Sequence, residues 1–312
     1  MRILVLGAGA IGGYYGARLI ESGADVTFLV RAARAGQLAR DGLRVHASRG
    51  DFARPVPAVE RVERAYDLVL VSTKAYDLAT AIDALRPAVG PTTLVLPLLN
   101  GIAHLDALDA AFGAERVLGG LCHISVTLEP DGAIRQFGAL ERLTFGDRGG
   151  AAVRADVAST LRAVGDGVVE RADILAAMWD KFAFIATLAG ATCLLRGSVG
   201  DIVAVADGAA LMTRLLGECC AVAAASGHPP TPDAIASARS ILTARGSPLK
   251  ASMLRDLERG GRTECEHVLG DLSQRAHALG IDAPLLTAAV THMRMYESAR
   301  ERSGKASSPE PR

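Results

Sequence analysis

The chain opens with Arg2-Ile3-Leu4-Val5-Leu6 followed at once by Gly7-Ala8-Gly9-Ala10-Ile11-Gly12, and no other feature narrows its fold as far. An apolar run ending on G-x-G-x-x-G is followed by a small-residue helical stretch from about Ala10 to Glu21. A stop at Gly23 and a second β-rich run at Val26–Val30 complete a β–α–β unit. In that context each glycine has its own task. Gly7 allows a tight turn, Gly9 lets the backbone approach a pyrophosphate, and Gly12 lets the helix pack close to the strand. The helix N-terminus then offers unpaired N–H groups and a positive dipole end to the phosphates. The pattern predicts a dinucleotide site built on Gly7, Ala8, Gly9, Ala10, Ile11 and Gly12.

The second run decides which dinucleotide. An acidic residue at its end would hold a ribose 2′-hydroxyl, but this chain has Val30-Arg31 there, with Arg34 one helical turn further. A guanidinium attracts a 2′-phosphate and gains nothing from a hydroxyl, so the expected cofactor is NADPH/NADP+ with Arg31 in contact with it.

Continuous apolar runs at Leu68–Val71 and Thr93–Leu96 read as further strands buried on both faces, as in a parallel sheet covered by helices. The segment Gly119–Gly146, with Pro130-Asp131-Gly132 inside it, reads as an antiparallel hairpin appended to the sheet edge. From about Ile174 the apolar spacing changes to three and four residues, the helix period. The expected architecture is an α/β N-terminal Rossmann-type dinucleotide-binding domain plus an all-α C-terminal domain. Residues 1–170 form the first, residues 171–300 form a helical substrate and catalytic domain, and 301–312 form a disordered tail without apolar content.

Composition excludes several classes. Lys+Arg and Asp+Glu both number 34, so no net charge favours nucleic acid or an anionic membrane as partner. The cysteines Cys122, Cys193, Cys219, Cys220 and Cys265 form no Cys-x-x-Cys pattern, which argues against a zinc site or disulfide framework and fits a reducing cytoplasm. The uncharged stretch Phe182–Leu195 is shorter than the ~20 residues that span a bilayer and reads as a buried helix. Glu264-Cys265-Glu266-His267 places only Glu264 and His267 on one helix face, with no third ligand, so no metal is expected.

Four more segments stand in order along the chain. They are Val71-Ser72-Thr73-Lys74, Leu99-Asn100-Gly101, Trp179-Asp180-Lys181-Phe182, and Ser252-Met253-Leu254-Arg255-Asp256 with Arg262-Thr263-Glu264. With the glycine fingerprint, this set resembles the ketopantoate reductase (2-dehydropantoate 2-reductase) family over nearly the whole chain. The resemblance implies an NADP-dependent oxidoreductase acting on CH–OH donors, which reduces 2-dehydropantoate to (R)-pantoate in pantothenate and coenzyme A biosynthesis. It also implies roles: Lys181 as general acid, Glu264 holding the substrate and the lysine network, and Asn100 beside nicotinamide and substrate. Ser252 is implied in substrate binding, and Lys74 near the cofactor ribose. Elementary chemistry agrees with the first of these. Hydride addition to a carbonyl leaves negative charge on oxygen, which a cation able to yield a proton stabilises twice over. A free lysine near pKa ~10.4 is a sluggish donor, and partial burial would lower that value.

The chain departs from the family in one respect. Asparagines usual four and eight residues after the lysine are here Ile185 and Ala189. Without those amides the pocket wall is more apolar and discriminates less by hydrogen bonding. Thr187 and Thr192 are the nearest hydroxyls that could compensate. The alternative readings are therefore a reductase of a different, more apolar 2-oxo acid, or a non-catalytic NADP-binding redox sensor. The expected partner is a small 2-oxo acid, with no nucleic acid and no membrane. A homodimer through the apolar stripes of the helical domain is the assembly to consider.

Overall fold

The computed structural model of the chain describes residues 1–306. It divides into two compact units: Met1–Leu99 with His104–Leu175, and Asn100–Ala103 with the chain from Ala176 onward.

The first unit runs β1 (Arg2–Leu6), α1 (Ala10–Glu21), β2 (Asp25–Leu29), α2 (Ala32–Asp41), β3 (Leu43–His46), β4 (Phe52–Arg54), β5 (Ala58–Val59) and β6 (Leu68–Val71). It continues through α3 (Leu78–Leu85), β7 (Leu94–Pro97), α4 (His104–Phe112), β8 (Gly119–Leu128), β9 (Ile134–Gly146), α5 (Ala155–Arg162) and β10 (Val168–Glu170). Five strands in the order β5-β2-β1-β6-β7 make an all-parallel sheet. Its centre is dry: Ile3, Leu4 and Val5 of β1 and all four residues of β6 have no exposed surface. Strands covered on both faces need no polar alternation, which is why they read as plain apolar runs.

The hairpin β8–β9 is antiparallel, but it does not extend that sheet. It anchors a second one, in which β9 takes β8 along one edge and β3 and β10 on the other, with β4 beyond β3. The reason is length. β9 has 13 residues, enough to pair with β3 at Ile134–Arg135 and with β10 at Leu143–Phe145. A single bridge, Val95 to Val117, joins the two systems. Helix α1 packs against strands of both sheets through its glycines. A Cβ on Gly13 would lie 2.2 Å from the Ile134 side chain of β9, and one on Gly16 would lie 2.4 Å from the Phe28 ring of β2.

The second unit carries α6 (Ile174–Leu195, whose first two residues belong to the first unit), α7 (Val199–Ala204), α8 (Gly208–Ala225), α9 (Pro232–Leu242) and α10 (Ser252–Glu258). A π-helical turn at Glu266–Gly270 leads into α11 (Asp271–Ala278), and α12 (Pro284–Ala306) follows. Start signals are local. Ser198 and Asp201 form a capping box on α7, and Thr231 caps α9 with Pro232 in its first turn. Glu218 of α8 accepts the backbone N–H groups of Leu285 and Leu286, satisfying the start of α12 from a neighbouring helix.

Two expectations need correction. Helix α6 has 22 residues and begins well before Phe182, so it and α8 are long and apolar enough to cross a membrane by length and composition. The full burial of Ala186, Ala191 and Cys193 makes α6 the core helix of its unit. Residues 301–306 of the expected tail are helical, continuing α12 with Ser303 bonded back to the Ala299 carbonyl. The remainder, 307–312, lies outside the described residues.

Candidate active site

The glycine turn follows from steric necessity. Gly7 holds φ +90° and donates its N–H to the Leu29 carbonyl at 2.9 Å, tying the turn to the end of β2. Ser72, just past β6, donates to the Leu6 carbonyl at 2.9 Å and to that of Gly7 at 3.3 Å, bracing the turn from the other side. A Cβ on Gly12 would sit 2.1 Å from both the Gly7 carbonyl oxygen and Ser72 Oγ, so only glycine fits there. At Gly9 a Cβ would meet nothing within 4 Å. Gly9 is the N-cap of α1 and provides no side-chain cap, and the first turn of the helix holds no acid. Unpartnered N–H groups facing open space next to a glycine are what a phosphate requires, so the residues present fit a dinucleotide.

That space is a cleft of about 540 Å³, within the range of small-molecule sites. Gly7, Ala8, Gly9 and Arg31 line it, together with Val30, Arg34, Glu60, Thr73 and Asp77. Ala10, Ile11 and Gly12 lie in the first turn of α1. Arg31 stands at the N-cap position of α2, is exposed, and pairs with Asp77 at 3.0 Å. Arg34 is a strut: its Nε donates to the Ala8 carbonyl and its Nη1 to the Gly132 carbonyl, each at 3.0 Å, while its buried Nη2 has no partner. Burial, and then Arg44 nearby, depress its pKa. Lys74 is exposed at the start of the turn Ala75–Asp77, and the cleft wall there is Thr73 and Asp77.

Asn100 belongs to the second unit, where it meets Lys181. Lys181 lies two turns into α6, not at its head, and is half-buried. Its Nζ donates to Asn100 Oδ1 at 3.0 Å. The Asn100-Gly101 turn needs its glycine, because Gly101 has φ +79° and a Cβ there would press within 3.2 Å of the His267 carbonyl oxygen. The His267 ring hydrogen-bonds the Asn100 backbone. Burial holds its pKa below the usual histidine value, against the opposing pull of Glu264, Asp271 and that hydrogen bond. Glu264 is half-buried one turn before His267, within electrostatic reach of the ring. Lys181, Asn100 and His267 are thus linked in turn, with Glu264 acting electrostatically on the His267 ring. Ser252 is exposed at the first position of α10.

Sequence reasoning missed the place of His267, although its i,i+3 relation to Glu264 was visible. It also assigned nothing to Ser72 or Asp77. Ile185 is half-buried and Ala189 is buried, at four and eight residues from Lys181. The two threonines do not replace the missing amides. Thr187 Oγ1 donates to the Ala183 carbonyl at 2.8 Å and Thr192 Oγ1 to that of Leu188 at 2.6 Å, both fully buried within their own helix. Among the described residues no group of three or more His, Cys, Asp or Glu side chains is arranged to hold a metal ion.

Comparison with known proteins places this geometry. The model of ketopantoate reductase PanE/ApbA matches residues 3–150, and that of the ketopantoate reductase PanE/ApbA C terminal matches 173–297. The "Uncharacterized oxidoreductase YkpB" of Bacillus subtilis (strain 168) is 36% identical over 307 residues, covering 96% of this chain and 100% of the relative. The crystal structure of 2-dehydropantoate 2-reductase from Geobacter metallireducens GS-15 superimposes with a TM-score of 0.86 at 29% identity, covering 95% of this chain and 99% of that one. A D-mandelate dehydrogenase solved with NADH and anilino(oxo)acetate shares the fold, with a TM-score of 0.86 at 22% identity and coverage of 96% and 99%. With both halves matched and the motifs in register, the chain belongs to the ketopantoate reductase PanE/ApbA family, oxidoreductases that act on CH–OH groups with a nicotinamide dinucleotide.

Proposed function

We propose that the chain is an NADPH-dependent reductase of a 2-oxo acid in which Lys181 protonates the carbonyl oxygen. The observation that carries this reading is the 3.0 Å hydrogen bond from Lys181 Nζ to Asn100 Oδ1, which directs an ammonium that local sequence alone leaves undirected. When bound, the cofactor supplies a hydride to the carbonyl carbon. The chain's own residues do the rest. Lys181 stabilises the charge that develops on oxygen and delivers the proton. Asn100 accepts one ammonium hydrogen and so orients the donor, while Glu264 holds the polar network and Ser252 offers a hydroxyl to the substrate. Gly7, Ala8 and Gly9, with the first turn of α1, take the pyrophosphate, and Arg31 takes the 2′-phosphate.

Family membership supports 2-dehydropantoate, reduced to (R)-pantoate for pantothenate and coenzyme A biosynthesis, as the first substrate. The five described cysteines are free, which suits the cytoplasm as the setting. Ile185 and Ala189 favour a second reading, a 2-oxo acid with a more apolar tail, since both Thr187 and Thr192 are bonded to their own helix. Following NADPH absorbance with 2-dehydropantoate and a panel of 2-oxo acids tests both. Turnover confined to 2-dehydropantoate removes the apolar reading. No turnover of any member, with either NADPH or NADH, overturns the proposal itself.

A further inference from the structure

The cleft of the first unit carries charge of both signs at the end where β2 gives way to α2. Arg31, Arg34, Asp77 and Glu60 all line it. Asp77 is the N-cap residue of α3, a position where an aspartate ordinarily accepts an N–H of its own helix. Here it makes no such bond. Its carboxylate reaches out of the helix instead, with Oδ2 3.0 Å from Arg31 Nη2. The side chains are 29% and 77% exposed, so the acid forms the wall and the guanidinium stands toward solvent.

This arrangement treats two dinucleotides differently. A 2′-phosphate brings about two negative charges beside the cleft's acid and must draw Arg31 away from a partner it already has. A 2′-hydroxyl is neutral and suffers neither effect. We infer that Asp77 is a specificity-determining residue: it competes with the 2′-phosphate for Arg31 and so limits how strongly the cleft prefers the phosphorylated dinucleotide. This rests on reading the cleft as a nicotinamide dinucleotide site. The displaced carboxylate remains at the N-cap position of α3, where an aspartate is well tolerated beside the positive end of the helix dipole.

The test is binding without substrate. Asp77→Asn removes the charge and keeps a residue that caps equally well, so α3 retains its start. Titration of wild type and variant with NADPH and with NADH, at low salt, reads the preference directly. NADPH is expected to bind about three- to thirtyfold more tightly to Asp77→Asn, with NADH changed by no more than about twofold. The gain shrinks as salt is raised and is smaller in an Arg31→Ala background. Asp77→Ser provides the same charge removal with a different capping residue, should the first variant fold poorly. Unchanged or weaker NADPH binding in folded variants overturns the inference, as does equal tightening of both cofactors. A wild-type chain that binds neither dinucleotide overturns the cofactor reading and this inference with it. Wild-type binding with no response to Asp77 overturns this inference alone.

Discussion

The glycine turn of the first unit and the lysine cluster of the second are built by opposite means. In the first, backbone does the work: Gly7 at positive φ, Gly9 opening onto empty space, and Gly12 jammed against a carbonyl. In the second, side chains from separate stretches converge, with Asn100 after β7, Lys181 on α6 and His267 on a π-helical turn. A backbone site restricts the residues that build it, because only a residue without a Cβ satisfies the geometry. A helical side-chain site imposes no such local restriction, since any helix tolerates a lysine on its surface. The difference predicts that damage to the two regions should separate cleanly into binding and chemistry.

The widest separation comes from Lys181→Ala. Loss of a positioned general acid lowers turnover by about 10²–10⁴-fold, and NADPH affinity is expected to hold because the dinucleotide cleft is lined by other residues. Lys181→Arg keeps the charge but yields a proton far less readily, so its turnover is expected to stay low. Single-turnover NADPH oxidation beside a direct cofactor titration gives both readings. Near wild-type turnover in Lys181→Ala would mean that the chemistry lies elsewhere.

Within the first region, two substitutions a few residues apart should fail differently. Gly12→Ala drives a methyl to 2.1 Å from the Gly7 carbonyl oxygen, which the turn cannot yield. Destabilisation of about 1–3 kcal/mol is expected, lowering the melting midpoint by several degrees. Gly9→Ala has an ordinary φ of −80° and open space around the new methyl. Its midpoint should hold while NADPH affinity falls by about tenfold, roughly 1.4 kcal/mol, because the methyl occupies the approach of the pyrophosphate. Equal melting of the two variants would remove the distinction between a packing glycine and a binding one.

The same contrast explains what the sequence could tell. β1, β6 and β7 were readable because they carry unbroken apolar runs, and β2 because only Thr27 interrupts its run from Val26 to Leu29. β3, β4, β5 and β10 have two to four residues each, too few for any period to show. The hairpin was legible from its turn and its β-branched residues, but its sheet was not, because those unreadable short strands are what draws β9 into a second sheet. In the site, Arg31 was visible as the wrong charge for a hydroxyl. Asp77 was not, since its pairing depends on a capping residue turning away from its own helix. Lys181 and Asn100 entered only through the resemblance: 81 residues separate them, and nothing local to either signals the other. His267 was seen only as one of two same-face donors, with no hint that it supports Asn100.

The smallest expected effect belongs to His267 and tests whether its ring is truly held in the interior of the second cluster. Burial lowers its pKa, while Glu264, Asp271 and the Asn100 backbone act to raise it, and burial prevails. The native ring therefore binds its proton less readily than the unfolded chain, whose histidine titrates near about 6.5. In the interval between the two values the unfolded state holds more protons, so stability rises with pH there. The contribution is complete above about 6.5 and drains away as pH falls through the lower native value. His267→Gln keeps an amide that can reach the Asn100 backbone but cannot titrate. Its melting midpoint should fall less than that of the wild type between neutral and mildly acidic pH, by a degree or two. Parallel slopes would mean that the ring is as accessible to protons in the folded protein as in the unfolded chain, and that Asn100 is fixed by Lys181 and the Gly101 turn without it.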